Sequence, residues 1–299
     1  MEQEIELSIV IGSGQAWPEL RLPLESLRPQ LQGLDAEVIV GLATPQGMDP
    51  AYAETLPGLR VFCEPGASVF RLRSLGIAMA RGAVIAITED HCRVHPDWCQ
   101  RILAAHRAHP DYPMIGGSVD NGADRKVIDW ANYLVSNIRF MPPVDAGPCD
   151  SVSMQANLTF KQAARPPVES DLGNMEMLLV ARLAKSGQRF YIDPSIKVDH
   201  VQSHGFWRTF AIHFHNGRSI AGFRLEQIAP GERWLRLITT PVLPLWLVIR
   251  AWWYLLVKRR RLVWGLVSLP LMLGLGVCHA AGEAAGYLFG PGRSPALMK

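Results

Sequence analysis

Glu89, Asp90 and His91 stand directly after an unbroken apolar run at 83–88, and His95-Pro96-Asp97-Trp98 follows them. Such a run reads as a strand buried on both faces, and in an open α/β sheet ligands gather beyond the carboxyl ends of the strands. Two carboxylates and an imidazole placed there can hold a divalent cation, which can neutralise a diphosphate. The same tripeptide also fits a solvated loop whose acids cap the next helix. A zinc site drawn from His91, Cys92, His95 and Cys99, or from His213 and His215, is a further reading, although structural zinc ligands normally come in tighter pairs. Cys63, Cys92, Cys99, Cys149 and Cys278 form an odd, scattered set with no C-x-x-C spacing, which suits a reducing compartment and buried thiols.

The elements that would position this tripeptide are written on either side of it. Strands are predicted at 5–11, 37–40, 59–62 and 83–88, with helices at 18–31, 70–81 and 96–109, the last started by Pro96. Strands alternating with helices imply an α/β fold with a mostly parallel, Rossmann-like sheet covered by helices on both faces. Further on, the pattern predicts a strand at 114–119, a helix at 127–138 and a strand at 151–159. A helix at 174–185 stopped by Gly187 follows, then extended stretches at 190–192 and 197–200 around Pro194.

Of 299 residues, 48% are apolar and 19% charged, below the roughly 25% charged residues typical of soluble domains. The formal charge of +3 conceals a split. Residues 1–205 hold 18 Lys and Arg against 24 Asp and Glu, whereas residues 206–299 hold 12 against 3. An acidic body thus carries a basic, apolar tail, which points to a membrane surface. Nucleic acid is excluded as a partner because the basic residues are interleaved with long apolar runs. The acidic start running straight into a strand reads as no signal peptide. Residues 237–257 are apolar apart from Arg250 but contain Pro241 and Pro244, and their tryptophans suit the headgroup level. They are expected to form an interfacial or re-entrant helix. After Lys258-Arg259-Arg260-Arg261, residues 262–285 read as a transmembrane helix. A helical hairpin that crosses twice is the alternative.

Four stretches, in order, resemble glycosyltransferase family 2, the nucleotide-sugar-dependent enzymes of the GT-A fold, between Leu7 and about Arg224. LSIVIGSG with LPLESLRPQL is similar to the family's first strand, donor-binding turn and first helix. EPGASVFRLRSLGIAMARGAVIAITEDHCRVHPDW resembles the run that carries an Ala-Arg-Asn-like tripeptide, a strand, D-x-D and P-x-W. SVSMQANLTFKQAA resembles the element before the acceptor site. NMEMLLVARLAKSGQRFYIDPSIKVDH resembles the helix bearing the base, followed by D-P-x-x-x-V-x-H.

The resemblance implies site residues. Glu89 and His91 fall on the two acidic positions of D-x-D, with Asp90 between them. This departs from the usual pair of aspartates; both residues can still ligate Mn²⁺ or Mg²⁺, although histidine favours an ion softer than Mg²⁺. Arg73 falls on the arginine of the tripeptide, facing the donor diphosphate. Gly12 and Ser13 fall on the donor-binding turn, with Gly12 where proline is usual. Asn157 falls on a position that contacts sugar or acceptor. Glu176 falls on the catalytic base, with Asp171 in reserve. No acid follows Val40 where the family contacts uracil, which leaves Ser13 and Glu37 as candidates for the base. His200 and His204 resemble the region that closes the site, and Arg218 and Arg224 can pair a phosphate or meet anionic headgroups.

The implied organisation is a nucleotide-sugar-binding half at 1–115, an acceptor-binding half of the same domain at 116–205, an amphipathic linker at 206–236 and a membrane-associated region at 237–299. The implied function is inverting transfer of a sugar from a nucleotide-diphosphate donor in cell-envelope or polysaccharide assembly. The catalytic domain would be cytoplasmic, on a bacterial-type inner membrane, with a lipid-linked acceptor. A catalytically inactive, transferase-like membrane scaffold is the alternative.

Overall fold

The computed structural model describes residues 5–298 except 16, 47–50, 53–54, 57, 153–155 and 169–170. The chain separates into two compact units, Met1–Asp120 with Pro142–Val201, and Asn121–Met141 with Gln202–Lys299.

The first unit contains β1 (Leu7–Ser13), α1 (Arg21–Leu27), β2 (Ala36–Leu42), β3 (Leu59–Cys63), α2 (Val69–Met79), β4 (Val84–Glu89), β5 (Cys92–Val94), α3 (Trp98–Ala108) and β6 (Met114–Asn121). After α4 (Val127–Ser136), which belongs to the second unit, come β7 (Gly147–Cys149), β8 (Leu158–Lys161), α5 (Glu176–Lys185) and β9 (Phe190–His200). The strands form one sheet in the order β3-β2-β1-β4-β8-β6-β9-β5, with β7 also on β9.

The expected parallel pairing holds for β3, β2, β1 and β4. The other half is antiparallel wherever β8 meets β4 and β6, and where β5 and β7 meet β9. The two extended stretches around Pro194 are one strand. Pro194 falls between the part paired to β7 and the part paired to β5, where its missing N–H costs no ladder bond to either. The strand expected at 151–159 is shifted to Leu158–Lys161, and residues 153–155 lie outside the described residues. The helix expected at 18–31 is a short α1 between two 3₁₀ turns.

Every residue of β1 is buried, and β4 is buried up to Glu89. That forces both chains to emerge together at the carboxyl edge, where Gly12 stands beside Glu89 in register. Glu37 occupies the opposite, amino edge, so it is no part of that constellation. Its carboxylate accepts from Ser8 Oγ (2.7 Å), Arg81 N–H (2.8 Å) and Arg60 (2.8 Å).

The second unit is helical: α4, α6 (Phe206–Arg224), α7 (Pro230–Thr239), α8 (Leu243–Lys258), α9 (Leu262–Phe289) and α10 (Ser294–Leu297). Trp130, Leu134, Leu247, Ala251, Leu255, Met272 and Leu275 share its core, and Trp130 stacks on Trp264 at 5.3 Å. A Cβ at Gly265 would strike the Leu255 side chain and one at Gly276 the Pro244 backbone, so α8 and α9 are antiparallel and closest at Gly276. Pro230–Lys258 and Leu262–Phe289 are both long and apolar enough to cross a membrane.

Burial on its own raises the Glu37 carboxyl, but the bonds from Arg60, Ser8 and Arg81 outweigh it and hold it below the ordinary range. A carboxyl lowered by folding stabilises above its unfolded pKa of about 4.3, and that stabilisation fades as pH falls through the native value. Glu37→Gln should therefore be less stable than the parent at pH 7, with the gap closing below about pH 4. Melting temperatures recorded from pH 7 to pH 3 check this, and a gap independent of pH would refute it.

Candidate active site

Three chain segments converge at the carboxyl edge of the parallel strands. β1 delivers Gly12 and Ser13, β4 delivers Glu89 and the turn residues Asp90 and His91, and the end of β9 delivers His200. The antiparallel β5–β9 ladder sets the last of these. Cys92 pairs with His200 and the Val201 N–H donates to the His91 carbonyl (2.9 Å), so the two imidazoles emerge side by side.

The rings meet edge to face, with Nε2 to Nε2 at 3.0 Å. Glu89 Oε2 lies 3.5 Å from each of these nitrogens. On the other side, His91 Nδ1 contacts Asp90 Oδ1 (2.7 Å), and Ser13 Oγ donates to Asp90 Oδ2 (2.6 Å). Asp90 is thereby an orienting group for His91, in contact with its far nitrogen.

The donor triangle of Glu89, His91 and His200 has the size a metal needs. Ligands at about 2.1 Å in cis positions of an octahedron are about 3.0 Å apart, close to the 3.0 and 3.5 Å edges seen. The residues thus fit a divalent cation, and among the described residues they are the His, Cys, Asp and Glu group that does. The electrostatics agree. Burial raises the Glu89 carboxyl, yet His91, His200 and Arg73 more than offset it and hold it at about 2. Burial lowers His91, but Glu89 and Asp90 carry it above the ordinary histidine value. Burial and the neighbouring His91 push His200 below that value. The cluster attracts one cation, a proton on His91 or a metal at the triangle.

Arg73 projects from α2 and is 2% exposed. Its Nε donates to Glu176 Oε1 (2.6 Å) and its Nη2 to Oε2 (3.1 Å), a bidentate pair inside the protein. Burial lowers the guanidinium pKa, but Glu176 foremost, then Glu89 and Asp90, raise it. Gly12 makes room for this arginine: a Cβ there would lie 2.8 Å from Arg73 Cγ and 3.0 Å from the Val69 carbonyl. Glu176 opens α5 and is placed by the segment before it. Ser68 Oγ donates to the Leu172 carbonyl (3.0 Å), Asn174 N–H donates to Ser74 Oγ (2.8 Å), and Gly173 takes a positive φ of +83° against α2.

The structure therefore brings together Gly12, Ser13, Arg73, Glu89, Asp90, His91 and Glu176. Asp171 lies exposed on the turn before α5. Asn157 is wholly buried and not part of the cluster. Its Oδ1 accepts from Trp98 Nε1 (2.9 Å) and its Nδ2 donates to the Ser118 and Ile196 carbonyls (2.9 Å each), so its amide joins strands. His200 is the residue missing from the expected metal set. Its signal was the strand D-P-x-x-x-V-x-H read against the strand after His91. Among the described residues those of the zinc alternative form no metal-sized group: His95 faces Asp199 at 3.3 Å, and Cys92 and Cys99 are buried.

No protein-family model matches the chain, and no curated protein matches it in sequence. Solved structures do match. The mannosyltransferase PcManGT from Pyrobaculum calidifontis, in complex with GDP-Man and Mn²⁺, superposes with a TM-score of 0.59 at 14% identity, over 96% of this chain and 88% of that one. Residues 1–349 of S. aureus TarS give 0.52 at 13%, over 72% of this chain and 64% of that one. GalNAc-T7 with UDP, GalNAc and Mn²⁺ gives 0.51 at 14%, over 67% and 43%. The chain thus spans less than two thirds of the TarS and GalNAc-T7 chains. At these identities the likeness is one of fold, and the fold is that of the GT-A glycosyltransferases.

Two outcomes follow from the geometry. Arg73→Met strands the Glu176 carboxylate in the interior and should cost about 3–5 kcal/mol, whereas Arg73→Met with Glu176→Leu should recover most of that, as read by urea unfolding. His200→Ala should weaken Mn²⁺ binding at least tenfold in calorimetry, and an unchanged affinity would remove His200 from the ligand set.

Proposed function

We propose that this chain is an inverting hexosyltransferase of the family 2 kind, moving a sugar from a nucleotide-diphosphate donor to an acceptor in cell-envelope or polysaccharide assembly. We further propose that it associates with a membrane through its helical unit, with the catalytic unit cytoplasmic and a lipid-linked acceptor. The observation that carries the reading is Arg73, held at the carboxyl edge in contact with Glu176 and within the field of Glu89 and Asp90. A buried cation beside both a cation-binding triangle and a carboxylate suits transfer from a diphosphate donor. The GDP-Man, UDP and Mn²⁺ named with the structural neighbours support the same donor class.

Glu89, His91 and His200 would hold the divalent ion, and their mixed nitrogen and oxygen donors favour Mn²⁺ over Mg²⁺. When bound, that ion would supply charge neutralisation for the departing diphosphate. Arg73 adds N–H donors to the same phosphates, Ser13 holds Asp90, and Asp90 fixes the His91 ring. The acceptor oxygen bonds to the anomeric carbon on the face opposite the leaving group, and its proton passes to a Glu176 oxygen. Both Glu176 oxygens accept from Arg73, and each keeps a second lone pair that can take the acceptor proton. Asp171 is the reserve carboxylate.

Melting curves with a panel of nucleoside diphosphates, with and without Mn²⁺, test donor binding. A Mn²⁺-dependent rise with at least one of them is expected, and none with any would refute the assignment. Glu176→Gln should keep that rise while lowering kcat at least a hundredfold. Retained turnover in this variant would remove Glu176 from the role of base.

A further inference from the structure

We infer that the exposed apolar face of the helical unit docks on a single bilayer leaflet rich in anionic lipid, with neither apolar helix crossing. This rests on the membrane association proposed above and departs from the crossing expected at 262–285.

Trp234, Ile238, Val242, Leu245, Ile249, Trp253 and Leu256 recur every three or four residues through α7 and α8, and each is more than half exposed. Val263 and Leu266 continue that surface on α9. The opposite face of α8, with Leu247, Ala251 and Leu255, is spent in the unit's core. One face is thus wet or lipid-bound, and the other is already covered.

What covers it cannot enter hydrocarbon. α4 packs along α8 and the first half of α9. At 10 residues it is about 15 Å long, and it buries Asp129 and Asn132. Arg250 in the middle of α8 donates to the Val135 carbonyl of α4. The second half of α9 runs parallel to α6: Gly274 faces Phe210, Gly217 faces His279 and Glu283, and Gly286 faces Arg218 and Ala221. α6 carries Arg208, His215, Asn216, Arg218 and Arg224. Drawing residues 274–289 into a bilayer draws these in as well. The 12 residues left, 262–273, are about 18 Å long against a core of about 30 Å. The helices therefore lie along the membrane with one face in it.

The rim has the charge of a headgroup contact. Arg233 and Arg236 flank the stripe at one end and Lys258, Arg259, Arg260 and Arg261 at the other, with Glu232 the acid among them. Trp234, Trp246 and Trp253 supply the amphipathic rings of such a border.

The full chain should float with vesicles of phosphatidylglycerol and phosphatidylcholine, and bind pure phosphatidylcholine at least tenfold more weakly. Trp246→Ser with Trp253→Ser should lose about tenfold on the anionic vesicles. Topology is read in membranes from expressing cells, with Cys63, Cys149 and Cys278 replaced by serine. Single cysteines at Gly231→Cys, Arg260→Cys and appended after Lys299 are then treated with an impermeant maleimide. All three should label from the same side. Arg260→Cys alone on the opposite side would establish a crossing hairpin, and the appended cysteine alone a single span by α9. Either result overturns this inference while membrane association stands, whereas no flotation with either vesicle overturns both.

Discussion

A guanidinium sealed from water must have a carboxylate in contact, and Arg73 has one in Glu176. That requirement ties α2 to the first turn of α5, elements that are about a hundred residues apart in sequence, and it fixes both at the carboxyl edge of the sheet. The same charge reaches Glu89 and Asp90, so the arginine also helps keep Glu89 ionised. Three carboxylates then face one fixed cation and one titrating imidazole, His91. The surplus is negative, and it is a surplus that a divalent ion can cancel. The cation site and the acid that would receive a proton are not independent features placed near each other by chance, because one buried side chain couples them.

Placing that side chain requires room in the backbone. Gly12 ends the buried part of β1 without a Cβ, so α2 can lie directly over the strand end. Gly173 adopts a positive φ where the chain passes against the Phe70 carbonyl, and Ser68 and Ser74 bond that passing segment to α2. Each device is small. Together they determine the orientation in which Glu176 enters the helix, since Met175 before it contributes no side-chain cap.

Much of this was legible in the sequence where the signal was local. The apolar run ending in Glu89-Asp90-His91 specified both a buried strand and a charged tip, and the resemblance of the stretch NMEMLLVARLAKSG to a glycosyltransferase helix implied Glu176. What could not be read was pairing across the sheet. His200 joins the triangle only because β5 and β9 align Cys92 with it, and a three-residue strand such as β5 has too little pattern to announce itself. Asn157 shows the converse. Its place in a motif suggested a ligand contact, but a side-chain amide with two donors and an acceptor is also well suited to closing a joint between strands, and burial decides between these uses. The antiparallel half escaped for the same reason. Hydrophobic runs reveal that a strand is buried, not which way its neighbour runs.

Hydropathy has a related blindness in the tail. A helix whose residues are apolar all round scores alike whether its inner face meets lipid or protein. In α9 the sequence spends glycines at 274, 282 and 286 on close approach to α6, and His279 and Glu283 sit on that same half. Close helix packing and polar pairing serve a protein seam, while the large exposed side chains of α7, α8 and the start of α9 serve a different neighbour. Glycines line the α6–α9 seam where backbones touch, and on α7 and α8 Trp234, Ile238, Leu245, Ile249 and Trp253 face outward. That sorting separates the part of the tail built to be covered by its own chain from the part built to be covered by something else.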